Sequence, residues 1–327
     1  MSRTDGVAGG TSLAPEQQID TAAFLGLSLR CGLLSVATLG LYSFWGRSEA
    51  RRRLWDAIAL GGEPLEYGGT GGELLAGFVI KWLAVGGCLL GAWASFRAMG
   101  PWGAPLIVLL TGAGVYAYGF TRFAGFVYLA SRTAWRGEMF EVEGSPVAFA
   151  ARELRDVALM VLTAGWWAPR VARARGQALW GGLRHPKAWP GYDAAAAARQ
   201  PLYSAFAIGW FASVMVVLFV GGVMLGLASG FFPTPQPGAA PSVGQLAALA
   251  LLLAGLWLLL RAAWAPYGEA ARAASAAGFG LRLARNEKAA ARAALADGAA
   301  LVGSLGLLTP WVRARRSARL FLALKPG

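Results

Sequence analysis

Apolar and polar positions fall along this chain in long blocks rather than with the short period of a surface helix or strand. Four blocks are apolar over a length that crosses a bilayer, for which about 20 residues suffice: residues 74–96, 105–130, 202–229 and 246–265. They form two pairs. The first pair is linked by FRAMGPWGAP, with Arg97 as its charge, and the second by GFFPTPQPGAAPSVG, with no charge. Residues 46–73, 131–201 and 266–327 hold nearly all the arginines. Basic residues stay on the cytoplasmic side, so each pair is expected to be a transmembrane hairpin with its link facing away from the cytoplasm.

Three more apolar stretches, 21–44, 146–167 and 288–311, each lead into a basic cassette that starts at a glycine and ends in an aromatic residue fifteen positions on. The cassettes are Gly40 to Trp55, Gly165 to Trp180 and Gly306 to Phe321. A constant spacing reads as one structural unit used three times. If the second and third stretches crossed completely, their arginines would lie outside, against the charge rule. They also carry charge in their first halves, Arg152, Glu153, Arg155 and Asp156 in one, Lys288, Arg292 and Asp297 in the other. They are therefore expected to be re-entrant or interfacial helices that break near the glycine and return as amphipathic arms, with an unbroken crossing as the alternative.

A third pattern precedes three of the apolar segments. Gly62, Gly137 and Gly278 align, followed in register by Leu65, Phe140 and Leu281 and then Tyr67, Val142 and Leu283; apolar residues two apart mark one face of a short strand. The pattern ends at Thr70, Ser145 or Asn286, residues that cap helices, and Glu73 completes a capping box with Thr70 while Pro146 takes a first helical position. Either small cytoplasmic β-hairpins or plain turns lead into the following helices. The fold class expected is an all-α polytopic membrane protein: four transmembrane helices in two hairpins, three shorter re-entrant or spanning helices, and small cytoplasmic β-hairpins. Residues 1–18 read as a flexible tail without the apolar core of a cleaved signal, and 19–327 as one membrane domain with internal repeats at 40–55, 165–180 and 306–321.

Composition strengthens this picture. Of 327 residues, 56% are hydrophobic and 14% charged, and mean hydropathy is +0.49, outside the usage of soluble domains. Net charge is +13. Beside apolar spans, that excess points to anionic lipid headgroups rather than nucleic acid. Cys31 and Cys88 lie in apolar segments and read as packing residues.

Catalytic material is sparse. His185 stands in LRHPKAW without a nucleophile or metal partner, GGTGGE at 68–73 lacks the lysine ending of a phosphate loop, and Glu63, Glu66, Glu138 and Glu141 read as solvated faces or arginine partners. No catalytic residue, metal ligand or cofactor is expected. The arms concentrate eleven of the thirty basic residues: Arg47, Arg51, Arg52, Arg53; Arg170, Arg173, Arg175; Arg313, Arg315, Arg316 and Arg319. Flanking tryptophans at 45, 55, 167, 180 and 311 suit the interface. Topology and anchoring account for the arms at the simplest. At the sharpest, arms from different cassettes converge into a vestibule for a lipid headgroup or another anion, because a guanidinium binds phosphate at two points. Arg30, Lys81, Arg155, Asp156 and Asp297 are the ionisable residues inside apolar stretches; Lys81 lies near enough to its helix start to snorkel.

The first cassette and its surroundings resemble the YjgN-like bacterial inner-membrane family, known as domain of unknown function 898. The likeness rests on Thr38, Leu39, Gly40, Tyr42, Trp45, Arg52 and Arg53, then Leu65, Tyr67, Gly69, Thr70 and Glu73. It is specific over residues 24–78 and looser in the other cassettes. The usual proline before Trp45 is Phe44 here, Pro310–Trp311 keeps it, and Pro169 is followed by Arg170. The resemblance implies an inner-membrane, multi-pass protein and supplies no activity. The function expected is a non-enzymatic envelope or structural component whose cytoplasmic arms, and C-terminus, meet anionic lipid. A carrier for an anionic or lipidic solute is the alternative, and an intramembrane enzyme the third reading.

Overall fold

Polar side chains at Asp20, Thr70, Ser145, Asp193, Ser242 and Asn286 each accept first-turn N–H groups and so fix where six helices start. A computed structural model describes residues 15–187, 189–229 and 242–326. The chain begins with β1 (Pro15–Gln17), α1 (Thr21–Ala37), α2 (Ser43–Asp56), β2 (Ile58–Leu60) and β3 (Glu63–Tyr67). Next come α3 (Gly71–Lys81), a π turn at Trp82–Gly86, α4 (Gly87–Met99), a 3-10 turn at Gly100–Gly103 and α5 (Ala104–Ser131). Then follow β4 (Thr133–Trp135), β5 (Glu138–Met139), β6 (Glu141–Val142), α6 (Pro146–Leu162), α7 (Ala168–Trp180), β7 (Leu183–Arg184) and α8 (Ala194–Ala198). The last elements are α9 (Tyr203–Ala228), α10 (Val243–Gly278), β8 (Leu281–Leu283), α11 (Glu287–Gly303), α12 (Thr309–Ala323) and β9 (Leu324–Pro326). Thr70 and Glu73 form a reciprocal cap on α3, and Ser145 and Asn286 accept first-turn N–H groups of α6 and α11. All three caps stand where the sequence pattern put them.

Three helical stretches are long and apolar enough to cross a membrane: Gly71–Ser131, Tyr203–Gly226 and Val243–Gly278. Four separate helices were expected, but segments 74–96 and 105–130 fall in the one 61-residue stretch. Gly100, at φ 55°, reverses the chain between α4 and α5, which pack along each other. A carbon added at Gly114 would lie 3.4 Å from Cβ of Cys88. The last apolar segment, expected to end at Ala265, continues as α10 through a buried Pro266 to Gly278. Its 36 residues reach about 54 Å, longer than a bilayer core. Neighbouring helices re-satisfy the carbonyl that a proline frees.

The chain is mostly helical but not all-α. Residues 15–17, assigned to the tail, form a strand paired with β2. Tail residues 1–14 and most of the second link, 230–241, lie outside the described residues. Left-handed pairs Gly61–Gly62 and Arg136–Gly137 turn β2 into β3 and β4 into β5, the backbone that tight antiparallel turns require. The register Leu65↔Trp135 then joins the two units into one five-stranded sheet. The third unit differs: Gly278 ends α10, and β8 pairs with the distant β9, so no hairpin forms there. β6 pairs with β7. These short ladders tie together the ends of α1, α2, α3, α5, α6, α7, α10, α11 and α12. Beneath them lies an aromatic cluster of Trp135, Phe140, Trp180, Trp189 and neighbours.

Candidate functional site

Three corners organise the basic arms. α1, α6 and α11 each span 17 residues and end three residues before a cassette glycine. The second and third residues past each helix end are left-handed in every case: Leu39 (φ 51°) and Gly40 (92°), Ala164 (47°) and Gly165 (91°), Leu305 (48°) and Gly306 (84°). The glycine N–H reaches back five residues to the carbonyls of Ser35, Met160 and Leu301, at 2.6, 2.7 and 2.8 Å, closing the helix end. A hydroxyl two residues before the glycine completes the corner. Thr38, Thr163 and Ser304 each donate to a carbonyl of the finished helix. Each then accepts the N–H of Tyr42, Trp167 or Leu308 at 2.9, 3.1 or 3.3 Å. Apolar residues crowd the tips and are bare: Leu39 is 97% exposed, Leu162 80% and Leu305 92%.

The first and third corners meet. α1 packs on α12, and Gly32 permits it, since a carbon added there would lie 2.9 Å from Cδ2 of Leu307. Between them lies a cavity of about 480 Å³. Its polar wall carries Arg47 and Arg51 from α2 and Arg313 from α12, while Val36, Leu39, Leu305 and Leu307 give it an apolar wall at the tips. Among the described residues no carboxylate lines it. None of these three arginines has an ion-pair partner among the described residues. Arg51 donates to the Tyr67 hydroxyl at 3.2 Å, and Arg47 stacks on Phe44. Crowding by surrounding protein, and then the charges of Arg47 and Arg51, pull Arg313 below the usual guanidinium range. Arg313 keeps solvent access, and screening tempers that effect.

The second arm does not join them. Arg175 grips buried Glu153 with two hydrogen bonds of 2.5 Å. Burial alone would lower its proton affinity, but the bonds and charge of Glu153 raise it above the ordinary value. Arg173 donates to the Gln200 carbonyl, and Arg170 stacks on Trp167. Arg315 likewise stacks on Trp311. Arg52 and Arg53 are exposed and outside the cavity, with Arg53 paired to Glu49. Arg316 and Arg319 turn to a different cavity, where Arg319 pairs with Asp297.

The ionisable residues of the apolar stretches do not share one passage. Arg30 is exposed and 3.8 Å from Glu49, and exposed Arg155 bonds its neighbour Asp156 at 2.8 Å. Lys81 sits 4.5 Å over the Tyr118 ring. Asp156 and Asp297 are buried in separate ion pairs. His185 is held between Trp135 and Phe140, with Nε2 3.1 Å from the Trp135 carbonyl. Glu63, Glu66, Glu138 and Glu141 are exposed. GGTGGE serves as the α3 cap, with Gly71 packed beneath Trp45.

Sequence reasoning met Thr38 only through the family resemblance and passed over Thr163, Ser304, Arg261 and Arg272. Aligning the cassettes two residues further back shows a Thr or Ser two positions before each glycine, which would have revealed the hydroxyls. No pattern marks the arginines, since α10 lies outside the cassettes.

A mostly helical chain with helices apolar enough to cross a bilayer, closed by cationic corners, is compatible with an integral membrane protein. Over residues 20–324 it matches the model of a family described as bacterial protein of unknown function (DUF898). The chain belongs to that family. No curated protein and no solved structure matches it.

Proposed function

We propose that this is a non-enzymatic protein of the bacterial inner membrane that holds an anionic phospholipid between its first and third corners. The observation that carries this reading is the convergence of Arg47, Arg51 and Arg313 on a cavity that has no carboxylate among the described residues and an apolar wall at the corner tips. A phosphodiester suits the guanidinium forks, and acyl chains suit the leucines. In this reading the chain crosses four times, as two hairpins made by α3 to α5 and by α9 with α10. The three corners are an internal repeat that dips into the cytoplasmic leaflet without crossing. Bare Leu39, Leu162 and Leu305 support the dip, as does the charge confined to the first half of residues 146–167. The short strands then form a cytoplasmic layer.

An envelope or structural role fits better than a carrier, because Arg30, Lys81, Arg155, Asp156 and Asp297 are scattered rather than gathered around one passage. The test is the lipid retained by the purified protein, counted by native mass spectrometry. Each basic residue near an anionic leaflet contributes about 1 kcal/mol. Arg47→Gln, Arg51→Gln and Arg313→Gln together are thus expected to weaken phosphatidylglycerol binding roughly a hundredfold, at 1.4 kcal/mol per factor of ten. Arg52→Gln with Arg53→Gln is expected to leave it unchanged. Equal retention by the triple variant and the native chain rejects the proposal.

A further inference from the structure

A second cavity of about 410 Å³ opens where α10, α11 and α12 meet, and it shares no lining residue with the first. Four guanidinium groups face it, from Arg261 and Arg272 on α10 and Arg316 and Arg319 on α12. Glu269 and Asp297 supply two carboxylates, so the wall carries four positive charges against two negative. Only Arg319 of the four is in an ion pair among the described residues. Arg272 and Arg316 approach the bare backbone of Gly268: a carbon added there would lie 3.9 Å from Nη1 of one and Nη2 of the other. Arg261 lies over the Trp257 ring and against Gly298.

The wall is also short of partners in both senses. Nε of Arg261, Oε2 of Glu269 and Oδ1 of Asp297 are buried without a hydrogen bond. Packing that only stored arginines would match them with those carboxylates, as α7 matches Arg175 with Glu153. Here the cations are left in excess while two carboxylate oxygens still await donors. Surrounding protein, and then Arg261, hold Arg316 below the usual guanidinium range, as expected where like charges crowd.

A bare anion would satisfy the arginines and be repelled by the carboxylates; a ligand with both oxyanions and hydroxyl groups satisfies both. We propose that this cavity binds a phosphoryl group carrying neighbouring hydroxyls, the chemistry shared by a glycerol phosphate and a phosphoglycerol headgroup. Phosphoryl oxygens accept from Arg261, Arg272 and Arg316, and the hydroxyls donate to Glu269 and Asp297. The volume exceeds a bare phosphate and falls within the range of small-ligand sites.

Binding to the purified full-length chain tests this, using inorganic phosphate and glycerol 3-phosphate by calorimetry and phosphatidylglycerol nanodiscs by native mass spectrometry. Glycerol 3-phosphate is expected to bind at least tenfold more tightly than inorganic phosphate, and Glu269→Gln to shrink that ratio. Arg272→Gln is expected to lower the affinity tenfold or more, and Arg272→Lys, which keeps the charge and loses the fork, to fall between. Arg47→Gln and Arg313→Gln, which line only the first cavity, are expected to leave the glycerol 3-phosphate affinity and the Arg272-dependent part of the phosphatidylglycerol signal unaltered, so failure of one site is read apart from failure of the other. An Arg272-dependent signal in calorimetry assigns a soluble ligand, and one seen only in nanodiscs assigns a lipid headgroup. Binding of all three probes that is indifferent to both Arg272 variants, or absent from the native chain, overturns the proposal.

Discussion

Single side chains carry the costs that this architecture has to meet. Leu39, Ala164 and Leu305 hold left-handed backbone, which costs a residue with a Cβ about 1–2 kcal/mol. Thr38, Thr163 and Ser304 help to offset it by bonding on both sides of each corner. Replacing Thr163 by Val keeps the shape and removes both bonds, and a loss of about 1 kcal/mol is expected, the value of a helix cap. Thermal unfolding in detergent checks it; an unchanged midpoint means the hydroxyl is idle. Glu153 is the other exacting position, since its side chain is only 3% exposed. Removing its partner leaves a buried charge, so Arg175→Ala is expected to destabilise by about 3–5 kcal/mol. Adding Glu153→Gln should recover part of that loss. If the double variant is no better than the single one, the charge is not the cause.

Between elements, small residues decide which helices touch. α5 and α6 approach so closely at Gly119 that an added carbon would lie 2.9 Å from Cβ of Glu153 and 3.0 Å from Cα of Ala150. α9 and α10 meet where Gly209 faces the Trp264 ring, whose Nε1 donates to Ser213 at 3.0 Å. Close backbone approach is how helices associate when lipid competes for apolar surface. Gly119→Leu is therefore expected to separate α5 from α6 and expose the Glu153–Arg175 pair. A proteolysis time course should show faster cutting between α6 and α7 than in the native chain. An unaltered cleavage pattern would contradict the packing. Cap positions and the three helix breaks were legible in the sequence because a hydroxyl or amide before an apolar run, and a glycine after one, act within a single turn. The continuation of α10 past Pro266 was not legible, because a proline inside an apolar run reads locally as a helix end.

For the whole molecule, the short strands set the arrangement. The sheet ties β1 before α1 to the hairpins before α3 and α6, while β8 and β9 join the end of α10 to the end of α12. These ladders keep the ends of α3 and α5 together, so the tip at Trp102, 87% exposed, belongs on the opposite face from Gly62. Single cysteines at these two positions, in a chain with Cys31 and Cys88 replaced, should label from opposite sides of the membrane. Labelling from the same side would remove the four-crossing arrangement.

By itself, the sequence determined the family, and also the helices apolar enough to cross a membrane, the corner glycines and the caps, which follow from hydropathy or from interactions within a few residues. Tertiary structure alone decided which arms meet. Arm spacing is alike in all three cassettes, yet Arg47, Arg51 and Arg313 share a cavity while Arg175 is taken up by Glu153 and Arg316 turns toward Arg272. The field at each guanidinium depends on charges brought near from elsewhere in the chain, and hydropathy carries no record of those long-range neighbours.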